Sequence, residues 1–215
     1  KGGVIEAQYD VPPDAWYFKD AGANGEMPFA VLLEAALQPC GWFSGYMGSA
    51  LTVDVDVKYR NLGGTARMVR PVTPSTGVLT TKVTCTSVSL SAGMIIQTFD
   101  FVLSSKEGVV YDGNTMFGFF SKEALANQVG ITDTDLPEQV IRAQKDKKFD
   151  ITTPYPQSDA LPTGNMVMLD AMTKEGEDIL MGQKAVERSE WFFDAHFYED
   201  PVMPGSLGLE AVLQL

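Results

Sequence analysis

The sequence predicts an α+β chain in which an antiparallel sheet wraps a buried central helix, with the same unit begun a second time before the chain ends. Three observations carry this: a helical run that is apolar on nearly every side, a series of β-rich segments behind it, and an echo between the two ends of the chain. In the first copy Trp16-Tyr17-Phe18 is followed by Met27-Pro28-Phe29-Ala30-Val31-Leu32-Leu33-Glu34-Ala35-Ala36-Leu37-Gln38. In the second, Trp191-Phe192-Phe193 is followed by Met203-Pro204-Gly205-Ser206-Leu207-Gly208-Leu209-Glu210-Ala211-Val212-Leu213-Gln214. Met27 and Met203, Glu34 and Glu210, and Gln38 and Gln214 each lie about 176 positions apart and Trp16 and Trp191 about 175, so one single-residue slip aligns the copies.

Each copy runs from an aromatic cluster through a loop into a helix opened by proline, whose missing N–H is tolerated in the first turn. Between Pro28 and Gln38 only Glu34 and Gln38 are polar, and an all-round apolar helix is a buried one. Pro39 and Gly41 interrupt the run while Trp42, Phe43, Tyr46 and Met47 continue it, which predicts a kinked or two-part helix. From Val53 to Tyr59 apolar residues alternate with Asp54, Asp56 and Lys58, the period of a half-buried strand. Thr80 to Leu90 and Met94 to Leu103 read as a hairpin turning at Ser91-Ala92-Gly93. Val109 to Phe119 reads as a further strand broken at Asp112-Gly113, and short helices are expected over Ser121 to Gln128 and Leu136 to Gln144. Lys145 to Pro162 is polar and proline-rich; residues 1–145 therefore read as the first unit, 146–160 as a linker and 161–215 as the opening part of a second. Within that part, Asn165 to Met172 fits either helix or strand, and Ile179 to Ala185 fits a strand. Lys1-Gly2-Gly3 at one end and an apolar helical pattern running out at Leu215 give the expectation of a piece of a longer polypeptide.

A formal net charge of −12 argues against nucleic-acid binding, because neutralising phosphates needs a dense basic face and the sixteen Lys and Arg are scattered. The one basic cluster, Arg142, Lys145, Lys147 and Lys148, reads as part of the solvated linker. No apolar run reaches the roughly 20 residues of a membrane-crossing helix, and no secretory signal opens the chain, so a soluble cytoplasmic protein is the expectation. Cys40 and Cys85 lack metal-ligand spacing and are expected as buried reduced thiols; with one histidine in the chain, neither a metal nor a cofactor is expected.

His196 is that histidine, and imidazole is the side chain best suited to exchange protons near neutral pH. It stands just before a helix opened by Pro204-Gly205, where an unpaired N–H and the positive end of the helix dipole can polarise a carbonyl oxygen. Gly205 is the natural donor because a ligand can approach its amide closely. Glu34 and Glu210 each interrupt an apolar helix; a carboxyl there needs a partner or keeps its proton, and a retained proton would make a general acid. Ser206 sits in no G-x-S-x-G elbow, which argues against a serine hydrolase, and no glycine-rich phosphate loop is present. The two aromatic clusters read as core, with the wall of an acyl tunnel as the other possibility.

The segment from Trp191 to Gln214, with His196-Phe197, Asp200-Pro201-Val202-Met203-Pro204-Gly205 and Leu207-Gly208-Leu209-Glu210-Ala211, closely resembles the active-site segment of the bacterial 3-hydroxydecanoyl-acyl-carrier-protein dehydratase family. Leu161-Pro162-Thr163-Gly164-Asn165-Met166 and Met168-Leu169-Asp170 resemble the same family's preceding stretch. The first copy, with Ala36-Leu37-Gln38-Pro39-Cys40-Gly41-Trp42 and Arg60-Asn61-Leu62-Gly63-Gly64, is similar to the dehydratase regions of polyunsaturated fatty acid synthases, which are multidomain megasynthases. The resemblance implies a double hot-dog fold whose second copy is truncated here, the two hot dogs pairing as a pseudo-dimer that could itself dimerise. It implies removal of water from a (3R)-3-hydroxyacyl chain carried on the phosphopantetheine of an acyl carrier protein, beside the other domains of a megasynthase.

By the same resemblance His196 matches the catalytic histidine, Gly205 the oxyanion-hole glycine, and Glu34 and Glu210 the acid position, where the family usually has Asp. Asp20 or Ala21 falls where the first copy should have histidine, and Phe29 replaces its glycine. One working site, His196 facing Glu34, and one dead site beside Glu210 are therefore expected. Two alternatives stay open at this level: dehydration coupled to trans-2 to cis-3 isomerisation, and a non-catalytic acyl-binding scaffold.

Overall fold

The apolar run at 28–38 folds as the first part of one helix. A computed structural model describes residues 2–22, 25–91, 94–127, 153–197 and 200–215. Strand β1 (Val4–Asp10) and a short helix α1 (Trp16–Asp20) precede helix α2 (Phe29–Tyr46), which starts at Pro28 with its ring-fixed φ of −55°. Leu32, Ala36, Cys40 and Phe43, at the spacing of a single helical face, are buried against the sheet. The opposite face is not core: Leu33, Glu34, Leu37, Gly41, Trp42 and Gly45 line a cavity. An all-round apolar helix is thus shared here between a core and a pocket. The expected break at Pro39 is not a division into two helices, since α2 continues through Pro39 and Gly41.

Strands β2 (Val57–Met68), β3 (Val78–Ser91), β4 (Met94–Ser105) and β5 (Gly108–Ser121) join β1 in one antiparallel sheet ordered β1-β3-β4-β5-β2. Along β4 the residues Ile95, Gln97, Phe99, Phe101 and Leu103 alternate inward and are buried with Leu79, Val83 and Tyr111. This long helix laid on a wrapped antiparallel sheet is the hot-dog arrangement the sequence predicts. Cys40 and Cys85 are both buried and unpaired with each other. No helix of the described residues is long and apolar enough to cross a membrane.

Two local expectations are corrected, and a third finding is a strand that the sequence does not announce. The strand expected from Val53 begins at Val57, because its partner β5 ends at Ser121, opposite Val57, where the Ser121 hydroxyl turns to cap helix α3 (Lys122–Ala126). Residues 53–56 have no ladder to join. Asp112-Gly113 does not break β5: Gly113 is there for a close approach, since a Cβ at that position would lie 2.1 Å from the Thr65 carbonyl oxygen and 2.7 Å from the Phe101 ring. Gly113→Ala is therefore expected to cost about 1–3 kcal/mol, read as a lower urea midpoint with an unchanged slope. Third, β1 carries no clear sequence signal, being an edge strand with mostly exposed residues. The helix expected over 136–144 and the basic cluster at 142–148 lie outside the described residues.

In the second part, Asn165 to Met172 is neither one helix nor one strand but a 3₁₀ turn (Gly164–Met166) followed by strand β6 (Ala171–Glu175), which pairs with β7 (Ile179–Gln183). Residues from 153 already dock on this hairpin. Pro154 bridges Ala171, the Tyr155 amide donates to Asp170 O, and Tyr155 is buried, so the end of the expected linker is held rather than free. Helices α4 (Trp191–Ala195) and α5 (Gly205–Leu213) follow, and α5 packs against α2. The two motif copies meet face to face: Trp16 and Trp191 pack edge to face at 5.3 Å. Tyr17, Phe18 and Phe192 are buried, Trp191 and Phe193 pack half-buried against the core, Trp16 is exposed, and none of the six lines the cavity.

Candidate active site

The cavity, about 1010 Å³ in volume, is bounded on one side by the outer face of α2 and on the others by β2, β5 and the segment from Ala195 to Leu213. Its wall brings together His196, Gly205, Ser206 and Glu34, three from the second motif copy and one from the first.

His196 leaves the end of α4, its amide donating to Phe192 O at 2.9 Å. Its ring nitrogen Nδ1 lies 2.7 Å from Val202 O. A carbonyl only accepts, so in the neutral ring Nδ1 carries the proton and Nε2 keeps its lone pair. The next residue, Phe197, has φ 61°, the one left-handed non-glycine among the described residues. Holding a phenylalanine there costs on the order of 1–3 kcal/mol, which the surrounding contacts must offset. Gly205 opens the nine-residue helix α5; its N–H has no acceptor among the described residues, and a Cβ built on it would meet nothing within 4 Å. An open amide at a helix N-terminus is suited to an incoming oxygen.

The carboxyl of Glu34 accepts from the Ser206 hydroxyl at 2.6 Å, a contact between the two copies. Gln38 approaches its other oxygen from Nε2 at 3.4 Å. Sequence reasoning assigned Ser206 no role beyond the missing elbow motif, and its signal was available only as its place on the first turn of α5.

Glu210, the counterpart of Glu34, is not part of this cavity. It is 6% exposed, accepts from Gln214 Nε2 at 3.0 Å, and burial holds its proton above the ordinary carboxyl range against the opposing hydrogen bond from Gln214. Gln214 is itself fixed by donation to Met166 O and by acceptance from the Met168 amide. Asp20, one of the two residues that align with His196, accepts from the Asn165 amide through Oδ2 and from the Thr163 amide through its carbonyl. A buried carboxyl whose proton binds more tightly in the folded state stabilises the fold fully below its unfolded value, ordinarily 4.5, and loses that contribution as pH rises through the folded value. Glu210→Gln keeps the shape and the Gln214 contact without the ionisable group. Thermal unfolding should give this variant a higher midpoint than the parent near neutral pH, with the gap closing as pH falls toward 4.5.

A family model described as the FabA-like domain matches residues 1–114 and 161–215. The chain belongs to the FabA-like domain family. One of the polyunsaturated fatty acid synthase subunits of Thraustochytrium sp. is 32% identical over 240 residues, an alignment covering 99% of this chain and 16% of that protein. The chain therefore spans only a small part of that relative's length. Among solved structures, the dehydratase heterocomplex ApeI:P from Xenorhabdus doucetiae is similar at 21% identity, with a TM-score of 0.43, over 58% of this chain and 82% of that one. A hot-dog-like protein from Thermanaerovibrio acidaminovorans is similar at 17% identity, with a TM-score of 0.44, over 60% and 88%.

Proposed function

We propose that this FabA-like domain removes water from a (3R)-3-hydroxyacyl thioester, giving the trans-2-enoyl thioester, as a step of fatty acid or polyunsaturated fatty acid synthesis in the cytoplasm. The observation that carries the reading is that His196, Glu34 and the open amide of Gly205 line the same cavity. In this scheme Nε2 of His196 takes a proton from C2 while the Gly205 N–H steadies the negative charge growing on the thioester oxygen. Glu34, held by Ser206, protonates the departing 3-hydroxyl, and the C–O electrons leave with the water. Glu34 rather than Glu210 is the acid, because Glu210 lies outside the cavity, buried and bonded to Gln214.

The wider reading is a double hot dog, units 1–145 and 161–215 joined by 146–160. The first unit supplies the acid and the second the base, acting on chains presented by the phosphopantetheine of an acyl carrier protein. Turnover of a (3R)-3-hydroxyacyl thioester by the complete polypeptide, with the product double bond located by mass spectrometry, tests this. A trans-2 product supports it, a cis-3 product adds isomerisation, and tight binding without turnover would replace the enzyme by an acyl-binding scaffold.

A further inference from the structure

The hydrogen bond from His196 to Val202 O ties the ring to its own loop, but it does not tie that loop to the unit that carries Glu34. One side chain does. Arg60, on β2, donates from Nη1 and Nη2 to the two carboxylate oxygens of Asp200 at 2.6 and 3.0 Å, while Nη1 also donates to Tyr59 O at 2.8 Å. Both side chains are about four-fifths covered, and the guanidinium holds the Asp200 carboxyl below the usual carboxylate range. Among the described residues this is the one ion pair joining the first 127 residues to those after 152. The guanidinium carbon also stands 5.8 Å from the centre of the Phe197 ring, which in turn lies 4.2 Å from the His196 ring.

We propose that Arg60 is a positioning residue: by clamping Asp200 and covering Phe197 it fixes the left-handed turn after His196 and so sets the imidazole against the Glu34 side of the cavity. The first unit then contributes both the carboxyl and the strut that sets its distance from the base. This rests on the function proposed above only for the role of His196. The geometry of the clamp stands without it.

In the complete polypeptide, Arg60→Met, Arg60→Lys, the single reversals Arg60→Asp and Asp200→Arg, and the exchange combining them are compared with Arg67→Met. Arg67 sits on the same strand in a different, exposed pair with Asp112 and serves as the control. Two readouts are taken: kcat and KM on a (3R)-3-hydroxyacyl thioester, and the rate at which diethyl pyrocarbonate modifies His196, followed on its own peptide. Arg60→Met should lower kcat about 10- to 100-fold with little change in KM, as expected for a base displaced by a fraction of an ångström, and should change the modification rate. Arg60→Lys should recover part of kcat, and the exchanged pair should outperform either single reversal. Wild-type kcat and modification rate in Arg60→Met would overturn the proposal, as would losses that follow the unfolding midpoint with lysine no better than methionine. An unmodified protein that turns nothing over, together with an altered His196 modification rate in Arg60→Met, would instead reject the dehydratase reading and keep the clamp.

Discussion

His196→Ala should abolish most of the dehydration of a (3R)-3-hydroxyacyl thioester, lowering kcat by about 10²- to 10⁴-fold, the span that general acid–base catalysis supplies. In activation energy that is roughly 3–5 kcal/mol. The ring occupies the cavity wall and its one hydrogen bond among the described residues is to the Val202 carbonyl of its own loop, so its removal should leave α4 and α5 in place. Unchanged far-ultraviolet circular dichroism beside the lost turnover would separate chemistry from folding. Near-normal turnover in this variant would reject His196 as the base.

The second large effect is an asymmetry between two glutamates that occupy equivalent places in the repeat. Glu34→Gln preserves size and can still accept from Ser206, but it has no proton to hand to a leaving hydroxyl; kcat should fall by about 100-fold or more. Glu210→Gln should leave kcat within about twofold while moving stability as described above, because its carboxyl is buried and bonded to Gln214 outside the cavity. Steady-state kinetics of both variants decides the matter. Equal losses would mean that each carboxyl serves a reacting centre, and a loss in Glu210→Gln alone would transfer the acid's role to that residue.

Much of the scaffold could be read from periodicity. The run from Phe29 to Gln38 and the alternation along β3, β4 and β5 are governed by contacts with a period of two or of about three and a half residues, which a sequence displays directly. The strand Val4–Asp10 was hidden because an exposed edge strand imposes no apolar alternation. Asp112-Gly113 misled for a different reason: glycine serves turns and close packing alike, and only the Thr65 carbonyl beside it distinguishes them. At the cavity, His196, Gly205 and Glu34 were marked by the repeat and the motif around them. Arg60 and Asp200 stand 140 positions apart with no shared pattern, and the Ser206 contact with Glu34 depends on how α5 lies across α2. Long-range pairs of that kind become visible only in three dimensions.

Asp20, one of the two residues that align with His196 in the first motif copy, ties the two parts of the chain together. Asp20 now anchors the 163–165 strap of its neighbour through both its carboxylate and its main-chain oxygen. An imidazole in place of Asp20 would lack the carboxylate oxygen to which the Asn165 amide donates, and so would loosen the strap. Two segments far apart in the sequence are therefore joined by one residue through its side chain and its main chain at once, and a substitution at Asp20 would cut only the first of these two ties.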